Sequence, residues 1–267
     1  METEKSHPSA REYVADLAAS GRYHFASTDA QSALGITATA AKLALNRLAK
    51  QEMIASPARG FYVIVPPEYR ALGCLPADQF IPALMKQLNF PYYAGLLSAA
   101  QYHGAAHHRP QQFQVMLPAN RRPIHCGKVD IAFAARKHIV DVPVQEFNTP
   151  RGTIRVSTPE ATAVDLVGYQ HRVGGLDNVA TILSELVEKI ESGKLAAAAA
   201  TAPLPWAQRL GYLLDKIGAA TTTSPLKTYV HKHARQTAPL LATERYLHSN
   251  RDNVWKLYIN AAVEAET

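Results

Sequence analysis

Cysteine is almost missing from this chain. Cys74 and Cys126 are its two cysteines, far apart in the sequence and without metal-type spacing. That argues against a disulfide-stapled scaffold or a zinc finger, and makes a reduced, cytoplasmic setting the default expectation. Long apolar runs are also missing. No window approaches the roughly 18 consecutive apolar residues of a membrane span, so no transmembrane helix is expected. The start, Met1 to Ser9, is polar, carries Glu2 and Glu4 and has no apolar h-region, so no secretory signal is expected. There is no Gly-rich phosphate loop and no nucleophile elbow, which argues against nucleotide hydrolysis and Ser/His/Asp chemistry. No internal repeat of fixed period is visible.

What is present suits a globular protein. Of 267 residues, 47% are hydrophobic, enough for a core and for one or two domains. The net charge of +6 is unevenly spread. Residues 1–70 hold 8 basic and 7 acidic groups, residues 71–157 hold 9 and 4, and residues 158–267 hold 11 of each. The middle segment therefore carries the basic excess, with five histidines from His103 to His138. A basic surface attracts polyanions, the more so at low salt. A solvated, mildly basic face is the plain alternative.

The N-terminal quarter is the most patterned. Ser9 or Ala10 can open a helix whose Tyr13, Val14, Leu17 and Ala18 form an apolar stripe, ended by Gly21. Thr28 is a candidate N-cap for a short helix through Leu34, and Gly35 supplies the turn. Thr37 opens a second helix to about Gln51. At about 100° per residue, Ala38, Ala41, Leu45 and Leu48 fall on one face. The opposite face carries Thr39, Ala40, Leu43, Asn46, Arg47 and Lys50, with Lys42 at its flank. Met53 to Val65 reads as a hairpin with its turn at Ser56–Gly60, and Pro66-Pro67 ends it. Helix, turn, helix, hairpin is the outline of a winged helix-turn-helix, which docks mainly on duplex DNA. Thr39, Lys42, Asn46, Arg47 and Lys50 are then the candidate groove contacts, with Arg59 on the wing. Leu43 is either a thymine-methyl contact or part of a partner surface. An ordinary solvent face is the competing reading.

Residues 66–78 look like a linker. A helix from Pro82 to Leu88 and another from Tyr93 to His103 are expected next. Strands follow at Phe113–Leu117, Val129–Phe133, Val142–Phe147 and Thr153–Val156, in an antiparallel or mixed sheet. Thr158-Pro159-Glu160 starts a strong helix, with Ala161, Val164, Leu166, Val167 and Tyr169 buried. After Gly174-Gly175, helices are expected over Leu176–Ile190, Lys194–Ala202 and Pro205–Ile217, then strands near Pro239–Thr243 and Val254–Ile259. The fold class is α+β: a winged helix-turn-helix over residues 1–70 and a larger mixed α/β domain over residues 71–267.

Three C-terminal stretches carry a resemblance. They are Ser157-Thr158-Pro159-Glu160-Ala161-Thr162-Ala163-Val164-Asp165-Leu166 with His171-Arg172-Val173-Gly174-Gly175, then Gln208-Arg209-Leu210-Gly211-Tyr212-Leu213-Leu214, then Trp255-Lys256-Leu257-Tyr258-Ile259-Asn260. In this order, behind the N-terminal module, the chain resembles the AbiEi-type antitoxins, the transcriptional-regulator half of type IV toxin–antitoxin systems linked to phage defence. The resemblance implies a non-enzymatic autorepressor without cofactor. Its N-terminal domain would bind inverted repeats in its own promoter. Its C-terminal domain would counter a cognate nucleotidyltransferase-like toxin, without need of a stable complex. The second helix departs from that pattern: its first turn is alanine-rich and lacks basic groups, so DNA affinity is expected to lean on other surfaces too.

Other chemistry is thinly supported. His103 and His107 would share a helix face, with His108 adjacent, yet no Cys or carboxylate is near enough in sequence to complete a metal site. A basic loop fits better, and with Arg109, Arg121, Arg122, Lys128, Arg136 and Lys137 it makes a candidate second nucleic-acid patch. Asp130 and Glu146 invite comparison with metal-dependent nucleases, but Asn148 stands where the lysine would be. Asp165, His171 and Arg172 read as a helix-end cluster that fixes the Gly174-Gly175 loop, and Tyr212 and Trp255 as core. The alternatives are a ligand-responsive winged-helix transcription factor without a toxin partner, and a nucleic-acid-processing enzyme.

Overall fold

Helix α1 (Ala10–Ala19) opens on a capping box: the Ser9 side chain accepts from Glu12 N, and the Glu12 carboxylate accepts from Ser9 N. The computed structural model describes residues 7–105, 111–246 and 248–264. Strand β1 (His24–Ala26) follows, then α2 (Ser27–Leu34), α3 (Ala38–Lys50), β2 (Ile54–Ala58) and β3 (Phe61–Ile64). Thr28 is not the cap of α2. The helix starts at Ser27, and Asp29 reaches back to accept from Ala26 N, because Ala26 is still paired as a strand residue. Gly35 turns the chain at φ +62°. β1 and β2 flank β3 in an antiparallel sheet.

β3 shows how this unit is held. Its residues alternate in period two. Tyr62 and Ile64 face α1–α3 with Tyr13, Phe25, Leu45 and Ile54, whereas Phe61 and Val63 join a second core with Phe80, Val115 and Val156. Both faces of the small sheet are therefore covered. The segment expected to be a linker is part of that packing. Residues 67–72 and 77–79 form 3-10 turns, and Cys74, Leu75 and Ala77 are buried, because their apolar side chains fill the space beside β3.

Next come α4 (Ile81–Leu88), β4 (Tyr93–Ala94), α5 (Leu96–Tyr102), β5 (Phe113–Leu117), β6 (Ile124–Cys126), β7 (Val129–Ala135), β8 (Val144–Thr149) and β9 (Gly152–Ser157). Tyr93 and Ala94 were expected to be helical but are strand residues, pairing with Met116 and Val115. The six-stranded sheet is mixed, in the order β6-β7-β5-β4-β9-β8, with β5–β7 and β4–β9 parallel. The helical layer is α6 (Pro159–Gly168), α7 (Gly175–Leu186), α8 (Ser192–Ala200), α9 (Leu204–Lys216) and α10 (Ser224–His233). Short strands β10 (Ala238–Pro239), β11 (Asn250–Asp252) and β12 (Leu257–Ile259) make a third sheet. The fold is α+β. Further departures from the sequence reading stand here: β6, β11 and α10 were not anticipated, and the strand expected over Pro239–Thr243 shrinks to two residues.

α6 is the centre of the larger core. Thr158 caps it, accepting from Ala161 N, and Pro159 sits in its first turn. Every residue from Glu160 to Val167 is buried, because α5, α7, α8 and α9 surround it. No helix among the described residues is long and apolar enough to cross a membrane.

Candidate functional site

The outward face of α3 is the clearest candidate surface. Thr37 fixes the start of the helix by accepting from Ala40 N at 3.3 Å. Ala41, Leu45 and Leu48 are buried against the rest of the unit. Ala38, expected on that face, is exposed: it lies in the first turn, ahead of the point where α3 meets its neighbours. Thr39, Lys42, Leu43, Asn46, Arg47 and Lys50 are all exposed, Leu43 at 55%. Their spacing of three and four residues sets them on one side of the helix. They run over about 16 Å of helix length at 1.5 Å per residue. Arg59 is exposed at the β2–β3 turn, where Gly60 has φ +75°. The β2–β3 pairing is irregular between Ala55 and Ala58, and the Ser56 hydroxyl donates within that turn to Ala58 O and Phe61 O.

One face of the small sheet packs on the larger domain. The Arg151 guanidinium, from the larger sheet, stacks on the Tyr23 ring at 3.3 Å and donates to Gln79 Oε1 at 3.0 Å. With Phe61 and Val63 below, this clamp leaves α3 on the outside of the molecule.

The second basic patch does not assemble as expected. Arg136 is 2% exposed and belongs to the core. Its Nε donates to Asp165 Oδ1 at 2.9 Å, Nη1 and Nη2 donate to Thr201, and its guanidinium lies over the Trp206 ring. Arg122, Lys128 and Lys137 are exposed, and Arg121 lies over the Phe133 ring. The β6–β7 register pairs Ile124 with Ile131 and Cys126 with Val129. Arg121, Arg122 and Lys137 are thus at one end of that hairpin and Lys128 at the other. Arg109, His107 and His108 lie outside the described residues.

His103 is the C-cap of α5. It is buried, its ring Nε2 lies 2.7 Å from Ser157 O, and burial holds its imidazole below the ordinary range. Among the described residues no His, Cys, Asp and Glu group can hold a metal ion. Asp130 is hydrogen-bonded to His125, and Glu146 lies on β8, four strands away in the sheet order. At about 4.8 Å per strand that is close to 20 Å, so the two carboxylates do not share a site.

Asp165, fully buried, stands apart from His171 and Arg172. Its Oδ2 accepts from the Tyr93 hydroxyl at 2.7 Å. Burial raises the carboxyl above its usual range, while the Arg136 guanidinium and the Tyr93 hydroxyl hold it back. The loop at Gly174-Gly175 is fixed by other groups: Asn178 Nδ2 donates to Val173 O, and Arg172 Nη1 to Phe133 O. Trp255 is buried, and its Nε1 donates to Asp215. One pair went unnoticed in the sequence. Cys74 and Cys126 are both buried in the same cluster, and each shifts the proton affinity of the other.

These elements define an α+β protein in which a small helix-and-sheet unit presents one polar helix face outward from a larger mixed-sheet domain. Residues 93–216 match the model of the family described as AbiEi antitoxin C-terminal domain, so this segment is similar to that domain. Two of the three stretches that carried the resemblance lie inside it, and Trp255–Asn260 lies beyond it. The fold is similar to the crystal structure of the RV2827C protein from Mycobacterium tuberculosis, with a TM-score of 0.65 over 93% of this chain and 90% of that one, at 19% identity. An antigenic nucleotidyltransferase-like protein from Paracoccidioides brasiliensis aligns at 9% identity over 57% of this chain and 90% of its own, with a TM-score of 0.37. That superposition is too loose to bear on fold or function. No curated protein sequence matches the chain at significance.

Proposed function

We propose that the chain is a type IV antitoxin and a DNA-binding autorepressor. In this reading residues 1–70 are a winged helix-turn-helix, and residues 71–267 oppose a nucleotidyltransferase-like toxin. The protein acts by binding, in the cytoplasm, with no catalytic group of its own. The observation that carries the DNA half is the outward face of α3, where Thr39, Lys42, Asn46, Arg47 and Lys50 are all exposed while Ala41, Leu45 and Leu48 opposite them are buried. Thr and Asn reach base edges, and Lys and Arg reach guanine or phosphate. Arg59 on the wing adds a phosphate or minor-groove contact. The antitoxin half rests on the family match over residues 93–216.

A gel shift of the full chain on its own upstream region, with a salt titration and a scrambled competitor, tests the first half. Binding that survives the competitor supports the repressor; binding abolished by it makes α3 a non-specific or protein-binding face. For the second half, co-expression with the cognate toxin is expected to restore growth, and continued growth arrest would remove the antitoxin assignment.

A further inference from the structure

Cys74 and Cys126 are distant in the sequence, yet the fold brings their backbones together. Lys128 N donates to Leu72 O at 2.7 Å. Gly127 lies so close to Gly73 that a Cβ on it would come within 2.1 Å of Leu72 O and 2.9 Å of Gly73 Cα. Cys74 follows Gly73 and Cys126 precedes Gly127, so the tight crossing sets the two cysteines side by side. Both belong to the same buried cluster, and each thiol shifts the proton affinity of the other. The crossing joins three parts of the molecule. Cys74 sits in the connector after β3, Cys126 ends β6, and β2 packs against β6.

We propose that Cys74 and Cys126 are a redox-active dithiol, which a small-molecule disulfide converts to an intramolecular disulfide tying the connector to β6. The two thiols are not equivalent. Cys126 is 7% exposed and Cys74 fully buried. The neighbouring Cys74 thiol pulls Cys126 below its ordinary range, and the same neighbour together with burial pushes Cys74 up. Cys126 is therefore the entry point. It loses its proton to solvent, and its thiolate attacks one sulfur of glutathione disulfide, forming a mixed disulfide and expelling one glutathione thiolate. Cys74 then gives up its proton and attacks Cys126 Sγ. The Cys74–Cys126 bond forms, and the second glutathione thiolate leaves. Two protein thiols are oxidised by two electrons, one glutathione disulfide is reduced, and the expelled thiolates take up the two protons.

The test uses the full reduced chain and glutathione disulfide. After an acid quench, unfolding and maleimide labelling, intact mass and peptide mapping read the outcome. The expected result is no maleimide adduct, a loss of two hydrogens, and one linked peptide pair containing Cys74 and Cys126. The unfolding temperature is expected to rise by roughly 5–10 °C, since the bond closes a loop of about 50 residues, and to fall back with a reducing thiol. Cys74→Ser is expected to stop at a glutathione adduct on Cys126. Two maleimide adducts after treatment, stable glutathione adducts on both cysteines, or a disulfide between two copies would each overturn the proposal. The mass readout on the unaltered chain stands even where a variant fails to fold.

Discussion

α3 and α6 begin alike and end in opposite environments. Each is opened by a threonine whose side chain accepts from the backbone three residues on. α3 buries three residues and leaves its polar ones in solvent; α6 buries eight in a row, among them Glu160, Thr162 and Asp165. The polar groups of α6 are consumed by the fold. Asp165 is held by Arg136 and Tyr93, Thr162 by Ser157, and Glu160 Oε1 accepts from Glu191 N. Those of α3 remain available to a partner. A charged residue in this molecule is thus informative only together with its burial: Arg136 and Arg47 are the same residue type, and only Arg47 is open to solvent.

The largest effect expected from breaking that contrast is at α6. Asp165→Ala leaves Arg136 buried without its counter-charge, and should cost about 3–5 kcal/mol, read by denaturant unfolding. A loss below about 1 kcal/mol would mean the pair is not buried as described. Gly211→Ala acts on the same core. Its Cβ would come 2.1 Å from the buried Trp255 ring, so the indole must shift at a cost of about 1–3 kcal/mol in thermal unfolding. On α3 the effect should move from stability to binding. Arg47→Ala is expected to weaken operator affinity by about 1–3 kcal/mol with unfolding unchanged. Thr37→Ala does the reverse at about 1 kcal/mol, since it removes a cap and no groove contact.

The smallest effect is one of pH. Burial holds the His103 imidazole below its ordinary value of 6.5, so the unfolded chain takes up that proton first on acidification. Its contribution to stability is then complete above pH 6.5 and is lost as pH falls through the folded-state value. His103→Gln should flatten the acid side of the stability profile, measured by unfolding between pH 7 and pH 5.

Local signals made much of this legible in the sequence. The caps at Ser9, Thr37 and Thr158, the period of Ala41, Leu45 and Leu48, and the β-branched run ending at Val65 depend on near neighbours alone. The exposed residues of α3 follow from the same period. What was missed depends on distant partners. β1 and β4 have three residues and two, too few for an alternating pattern, and exist because β3 and β5 pair with them. Thr28 looked like a cap because β1 was unseen. Arg136 looked like surface because its carboxylate lies on α6 and its carbonyl partner at Thr201. The cysteine pair is invisible to spacing for the same reason: a crossing of two glycines makes it.

In the proposed function α3 reads DNA, while α6 holds the fold. The most direct measurement is a pair: operator affinity by fluorescence anisotropy and stability by denaturant unfolding, for the unaltered chain, Arg47→Ala and Asp165→Ala. Arg47→Ala is expected to lose roughly tenfold or more in affinity at unchanged stability, and Asp165→Ala to lose stability. Unchanged operator affinity in a folded Arg47→Ala protein would contradict the proposed reading.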